Sequence, residues 1–252
     1  MNKIRLDTSG WYRDWFDEDY LALYADRGET EARHFVGTIW SRLGLNPGVR
    51  IADLPCGPGR HCKAFAERGA CVTGLDLSQI MLDHARKSTA QLTSRPRLVQ
   101  GDLRALPFAS EFDLAVNLFT SFGYFATEAE NEKVFSELVR VLISGGLLLI
   151  DVVNPLWLKD HFIPETVTKT ASFDAVAHKE LSDNGRRIIK HIHLTKHHET
   201  REITESVRLY HSEELTLFAS RCDLSPIDMW GDYDGAPFSD ATPRLIFLAR
   251  KN

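Results

Sequence analysis

At 252 residues, 43% hydrophobic and 26% charged, the chain has enough apolar material for one domain with an insertion and needs no disulfide or metal staple. A formal net charge of −5, with no basic run longer than two residues, excludes an extended nucleic-acid track, and no stretch approaches the ~20 apolar residues of a membrane span. Met1–Gly10 lacks the apolar core of a signal peptide, and Cys56, Cys62, Cys71 and Cys222 form no C-x-x-C pair, so the expectation is a cytoplasmic protein with free thiols and no zinc site.

Residues 8–26 combine charge with aromatics. Tyr12, Phe16, Tyr20 and Tyr24 recur every four residues and so share one face of a predicted helix. A second helix runs from Glu29 to about Leu43 and ends at the turn Asn46-Pro47-Gly48. Val49–Leu54 reads as a first strand, 60–68 as a helix closed by Gly69, and Cys71–Leu75 as a second strand ending at Asp76. Ser78 caps a helix over 79–88. Arg97–Gln100 and Phe112–Asn117 are further strands, Glu128–Leu142 is helical, and Ser144-Gly145-Gly146 turns into the doubly buried strand Leu147–Val153. This alternation predicts a doubly wound, mostly parallel sheet.

The rhythm breaks at Asn154-Pro155. Arg187–Leu194 and Glu202–Tyr210 alternate with a period of two, which predicts antiparallel strands. Ser212–Ser220 reads as a helix with a Ser-x-x-Glu-like start, and Pro226–Trp230 and Arg244–Ala249 as two last strands. The expected organisation is a helical cap over 1–44, an α/β domain over 45–153 and 211–252, and an inserted β subdomain over 154–210 that builds an acceptor pocket or a dimer contact.

The segment Ile51-Ala52-Asp53-Leu54-Pro55-Cys56-Gly57-Pro58-Gly59-Arg60-His61 carries a strand through a glycine loop into a helix N-terminus, the place where open α/β sheets bind cofactors. A dinucleotide asks for G-x-G-x-x-G, but Cys62 holds the third glycine position, and no Gly-Lys-Ser/Thr completes a P-loop. S-adenosylmethionine has no phosphate. It asks for close backbone approach at the glycines and for an acidic residue at the end of the second strand. Asp76 is that residue and can accept both ribose hydroxyls, although NAD would use it equally. Asp102 can accept the adenine amino group, with Leu77 and Leu103 flanking the ring. An NAD-type oxidoreductase stays open as an alternative that Cys62 and Asp102 oppose, and a non-catalytic S-adenosylmethionine-binding protein as another.

The ordered set Asp53-Leu54-Pro55-Cys56-Gly57-Pro58-Gly59, Gly74-Leu75-Asp76-Leu77-Ser78, Gly101-Asp102 and Phe112–Asn117 resembles the successive motifs of class I S-adenosylmethionine-dependent methyltransferases. The segment Asn117-Leu118-Phe119-Thr120-Ser121-Phe122-Gly123-Tyr124 is similar to a loop of bacterial small-molecule methyltransferases. The resemblance implies a seven-stranded Rossmann-like sheet and S-adenosylmethionine as cofactor, leaving as S-adenosylhomocysteine, with no metal required. It implies that Gly57 and Gly59 let the loop approach the methionine part, that Asp53 lies near the amino group, and that Asn117 and Leu118 offer it backbone carbonyls. It implies that N-terminal residues, Tyr12 and Tyr24 among them, cover the cofactor. Pro55 departs from the family's glycine or alanine, so the loop is expected to bend at Cys56-Gly57 instead.

Expected partners are a small-molecule methyl acceptor, with neither nucleic acid nor membrane, and the chain is expected as a monomer or homodimer. Candidate catalytic residues are Tyr124 in the loop after the fourth strand, His161 early in the insertion, and Tyr233 in the loop Gly231–Phe238, with Asp234 beside it. His191, His193 and His197 share one strand face with His198 opposite. Lys190, Lys196 and Glu199 interleave, so a solvated or dimer-facing strand is expected rather than a metal site.

Overall fold

Apolar runs ending in acidic or amide residues become the central strands. The computed structural model describes residues 10–25, 28–170, 172–196 and 199–252. A 3-10 turn (Trp11–Arg13) precedes helices α1 (Glu18–Leu23) and α2 (Glu29–Arg42). Strands β1 (Arg50–Asp53), β2 (Cys71–Asp76), β3 (Arg97–Gln100), β4 (Phe112–Asn117) and β5 (Leu142–Val153) follow, interleaved with α3 (Arg60–Ala66), α4 (Gln79–Thr89) and α5 (Glu128–Arg140). After α6 (Pro155–Asp160) come β6 (Glu165–Lys169), β7 (Asp174–Ser182), β8 (Arg187–Lys196) and β9 (Glu199–Arg208). The chain closes with α7 (Ser212–Arg221), β10 (Leu224–Trp230) and β11 (Arg244–Lys251).

The main sheet has seven strands in the order β3-β2-β1-β4-β5-β11-β10. Strands β1 to β5 are parallel, and β11 is antiparallel to both β5 and β10. Winding proceeds outward from β1 through β2 and β3, then restarts on the other side at β4. The crevice at this reversal, beyond the carboxyl ends of β1 and β4, is where an open α/β sheet takes a ligand. Both faces are covered. Phe135, Leu138 and Phe218 pack with Ala115, Leu148, Ile150 and Phe247 on one side, and Phe35, Ile39, Phe65 and Leu82 with Ile51, Val116 and Leu149 on the other. The expected fold class, a doubly wound seven-stranded sheet with an inserted antiparallel β subdomain, is what forms.

Two local readings are corrected. The aromatic repeat does not run along one helix. Asp17 turns its side chain onto the N–H groups of Asp19 and Tyr20 and starts α1 afresh, leaving Tyr12 in the separate 3-10 turn. The cap of α7 is His211 rather than Ser212, because Glu214 stands three residues after it and accepts the His211 backbone N–H at 3.0 Å.

The second sheet is an antiparallel meander, β6-β7-β8-β9. Its inner face carries Ala175, Ala177, Ile192, Leu194 and Ile203, which pack against Trp15 and Phe173. Strand alternation puts His191 and His193 on the other face, where they meet Glu180 and Glu202 at 3.9 and 3.6 Å.

Candidate cofactor and acceptor site

A cleft of about 310 Å³ opens beyond the ends of β1, β2 and β4. Its floor is the loop Pro55–Pro58, its far wall is Leu118, Phe119, Ser121 and Tyr124 after β4, and its roof is Tyr12, Phe16, Tyr20, Leu21, Tyr24 and Ala25. The four-residue aromatic spacing thus gathers its residues at one cleft even though the helix is broken. Pro55 follows a cis peptide bond, and the turn is made at Gly57 (φ 53°) and Gly59 (φ 83°), after the proline. Gly57 lines the cleft, whereas Gly59 faces α4, where a Cβ would stand 2.7 Å from that of Ala85. Its role in this geometry is to let α3 and α4 approach.

Asp76 is buried at the end of β2 and accepts the N–H groups of Gly57 and Ser78, each at 2.9 Å. It both shapes the loop and faces the cleft. Burial pushes its pKa up to about 6, opposed by those N–H bonds. Leu77, Asp102 and Leu103 also line the cleft. Burial would raise Asp102, but the Arg104 guanidinium, donating to both its oxygens, holds its carboxyl below the usual range. Arg104 in turn reaches Glu130 at 2.6 Å.

Asp53 and Asn117 lie fully buried at the ends of β1 and β4, directly behind the loop. Asn117 donates to the Leu54 carbonyl at 2.7 Å, and the Cys62 thiol donates to Asp53 at 3.2 Å. Asp53 Oδ1 and Asn117 Oδ1 are the buried side-chain polar atoms without a hydrogen-bond partner among the described residues. Burial pushes Asp53 up to about 7, against the Cys62 bond and the Arg60 charge. Two orphaned acceptors beside a glycine loop fit the amino group of S-adenosylmethionine, and Asp76 fits its ribose. The residues present therefore suit this cofactor.

The wall after β4 is held in an unusual conformation. Phe119 and Thr120 both have φ of 61°, a cost of about 1–3 kcal/mol each for residues with side chains. Asp151 at the end of β5 compensates. Fully buried, it accepts the Phe119 N–H at 2.8 Å and the Tyr233 hydroxyl at 3.2 Å, and it pairs with Arg244 of β11 at 2.6 Å. Arg244 also donates to the Thr120 hydroxyl at 3.0 Å. The Phe119 ring receives the Arg60 guanidinium carbon 4.1 Å from its centre. Neither Asp151 nor Arg244 belongs to the motifs read above. A lone acid inside the apolar run Leu147–Val153 was the available signal.

Of the candidate catalytic residues, Tyr124 lines the cleft, with its ring 4.9 Å from Trp11 and stacked on Phe16 at 5.8 Å. Tyr233 stands behind the wall, its hydroxyl on Asp151 and its ring 4.3 Å from Phe35, and burial raises its pKa. His161 stacks on Trp157 at 4.2 Å, on the exposed surface. Asp234 binds His34 at 2.7 Å in an exposed pair. His61, which the motifs passed over, lines the cleft, and burial with the Arg60 charge keeps its pKa well below the ordinary value, hence neutral. No described residue of 154–210 lines the cleft. Among the described residues no group of three or more His, Cys, Asp or Glu could hold a metal ion; His197 and His198 lie outside them. No described helix is long and apolar enough to cross a membrane.

Residues 51–146 match the family described as methyltransferase domain. The Bacillus subtilis (strain 168) protein YqeM is 27% identical over 222 residues, which cover 85% of this chain and 89% of that one. The dTDP-3-amino-3,4,6-trideoxy-alpha-D-glucopyranose N,N-dimethyltransferase of Streptomyces venezuelae is 34% identical over 146 residues, covering 57% of this chain and 58% of its own length. A crystal structure of an S-adenosylmethionine-dependent methyltransferase from Clostridium acetobutylicum shares the fold, with a TM-score of 0.78 at 18% identity over 92% of this chain and 95% of that one. Fold and cleft define a Rossmann-like S-adenosylmethionine site. Residues 51–146 thus form a methyltransferase domain, the fold and ordered motifs are those of S-adenosylmethionine-dependent methyltransferases, and the oxidoreductase alternative is set aside.

Proposed function

We propose that this enzyme methylates a nitrogen, oxygen or carbon of a small molecule, and that it works by alignment and exclusion of water rather than by a strong base. The observation that carries this reading is the make-up of the cleft. It is enclosed by tyrosine and phenylalanine faces from the N-terminal segment and the β4 loop, and among the described residues only Asp76 and Asp102 bring carboxylates to it. Both are the residues expected to hold the cofactor.

When bound, S-adenosylmethionine supplies an electrophilic methyl group on a positively charged sulfur. Asp76 holds the ribose hydroxyls, while Asp102, Leu77 and Leu103 bound the adenine. Asp53, Asn117 and the backbone at Gly57 and Leu118 receive the amino acid end. Tyr12, Phe16, Tyr20, Tyr24 and Tyr124 close the space against water and present aromatic faces, which suit a cationic sulfur. Tyr124 is the candidate hydroxyl for orienting the acceptor. His161 and Tyr233 drop out as direct proton carriers, because the one lies on the outer surface and the other is turned onto Asp151. What remains is proximity, which suffices for a methyl donor that is already activated.

The test is transfer of labelled methyl from S-adenosylmethionine into a metabolite extract, followed by a panel of phenols, heteroaromatic amines and nucleotide-linked amino sugars. The last group is included because the Streptomyces venezuelae relative is named for it. Label in the small-molecule fraction is expected. Label confined to protein or nucleic acid would overturn the proposal, and cofactor binding with no transfer at all would favour a non-catalytic role.

A further inference from the structure

The inserted sheet takes no part in lining the cleft, yet its inner face is bound tightly to the segment that roofs it. On β9, alternation places Arg201, Ile203 and Glu205 on the inner side. Glu205 Oε1 accepts the Trp15 indole N–H at 2.6 Å and the Tyr24 hydroxyl at 3.0 Å. Lys190, opposite Glu205 in the register, stands 3.6 Å from its other oxygen and also binds the Tyr24 hydroxyl. Arg201 donates to Asp17 at 2.5 Å and to the Asp14 carbonyl at 2.9 Å, with its guanidinium carbon 5.6 Å from the centre of the Trp15 ring. Trp11 donates to the Ser206 carbonyl at 3.2 Å.

On its other side the same segment meets the cofactor loops. The Ser78 hydroxyl, two residues after Asp76, donates to the Phe16 carbonyl at 2.6 Å, and Glu18 pairs with His84 of α4 at 2.9 Å. Tyr12, Phe16, Tyr20 and Tyr24 are therefore suspended between the inserted sheet and the cofactor-binding edge. Residues 14–17 contain no regular helix that could stiffen them from within. Their position depends on what grips them from outside.

We infer that Glu205 and Arg201 are positioning residues for cofactor retention: the inserted sheet clamps the aromatic roof over S-adenosylmethionine, and the cofactor leaves when that clamp loosens. The inference concerns the cofactor alone, so it stands or falls independently of the acceptor. Glu205→Ala removes the acceptor of two side-chain bonds, whereas Glu205→Gln keeps a carbonyl oxygen for Trp15 and Tyr24 and gives up the charge and the contact with Lys190.

The test uses the full chain and S-adenosylhomocysteine as the probe. Affinity is read by titration calorimetry and dissociation by stopped-flow tryptophan fluorescence, for which Trp11 and Trp15 are local reporters. Thermal unfolding is followed in parallel. The expected result is a dissociation constant raised about tenfold or more in Glu205→Ala, mainly through faster release, the same direction in Arg201→Ala, and a change of less than about threefold in Glu205→Gln. His193→Ala, on the outer face of the same sheet, should leave binding unchanged. Unaltered affinity and release in folded Glu205→Ala and Arg201→Ala would overturn the inference. So would equal losses in Glu205→Gln and Glu205→Ala, since hydrogen bonding would then not be the cause. Should Glu205→Ala fail to fold, Arg201→Ala decides the matter, since unaltered affinity and release in it overturn the inference.

Discussion

Replacing Arg244 by methionine isolates the ion pair that holds the wall of the cleft. The Asp151 carboxylate has no solvent exposure and pairs with Arg244 at 2.6 Å. Removing one partner of a buried pair costs about 3–5 kcal/mol, because the remaining charge is uncompensated. Two donors stay in place, the Phe119 N–H and the Tyr233 hydroxyl, which argues for the lower end of that range. Relaxation of Phe119 and Thr120 out of positive φ returns part of the cost. The expected loss is therefore about 3 kcal/mol at neutral pH, read from urea unfolding. In the double variant Asp151→Asn with Arg244→Met, no charge is left buried, and about 2 kcal/mol should be recovered relative to Arg244→Met alone. A loss below about 1 kcal/mol in the single variant, or a double variant no more stable than the single, would refute the reasoning that the pair holds the wall by mutual compensation.

Asp76→Ala should weaken S-adenosylhomocysteine binding about tenfold or more, by loss of charge-assisted hydrogen bonds to the ribose and of the grip on Gly57; calorimetry at neutral pH checks it. Asp53, raised from 3.8 to about 7, keeps its proton in the folded chain where the unfolded chain has lost it, so stability should fall as pH rises through that window. Asp53→Asn should flatten this slope, leaving the smaller part due to Asp76, and an unchanged profile of urea midpoints would contradict the assignment. Gly59→Ala should destabilise by about 1–3 kcal/mol in thermal unfolding, since φ is 83° and the new Cβ would meet Ala85 at 2.7 Å.

Strands β1, β2 and β4 were legible because each is short and closes on a residue of distinct chemistry, whereas β5 begins at Leu142 and runs through the Ser144-Gly145-Gly146 stretch expected as a turn. Asp76 and Asn117 mark the ends of β2 and β4 to the residue, while β1 stops at Asp53, one residue short of the expected Leu54. The spacing of Tyr12, Phe16, Tyr20 and Tyr24 predicted a shared face, and they do share a cleft, but by a different backbone path. A four-residue period reports which side chains gather; it does not report that Asp17 interrupts the helix between them. Tyr233 was readable as a polar aromatic in a loop at the reaction end of the sheet. Its hydroxyl turns to Asp151 because that buried carboxylate needs donors, a demand visible only once β5, β11 and the loop are assembled.

Local chemistry along the chain thus determined the alternation of strand and helix, the glycine loop, and the acids at the strand ends, since each depends on residues within a turn or two of one another. Tertiary structure alone decided the rest. It placed Gly59 against α4, gave Asp151 and Arg244 the task of holding Phe119, and set the inserted sheet to gripping the roof of the cleft. These contacts join residues far apart in sequence, Glu205 with Trp15 and Arg244 with Thr120. Their partners are fixed by packing and by the cost of leaving buried polar groups unpaired, which no short window of sequence can express.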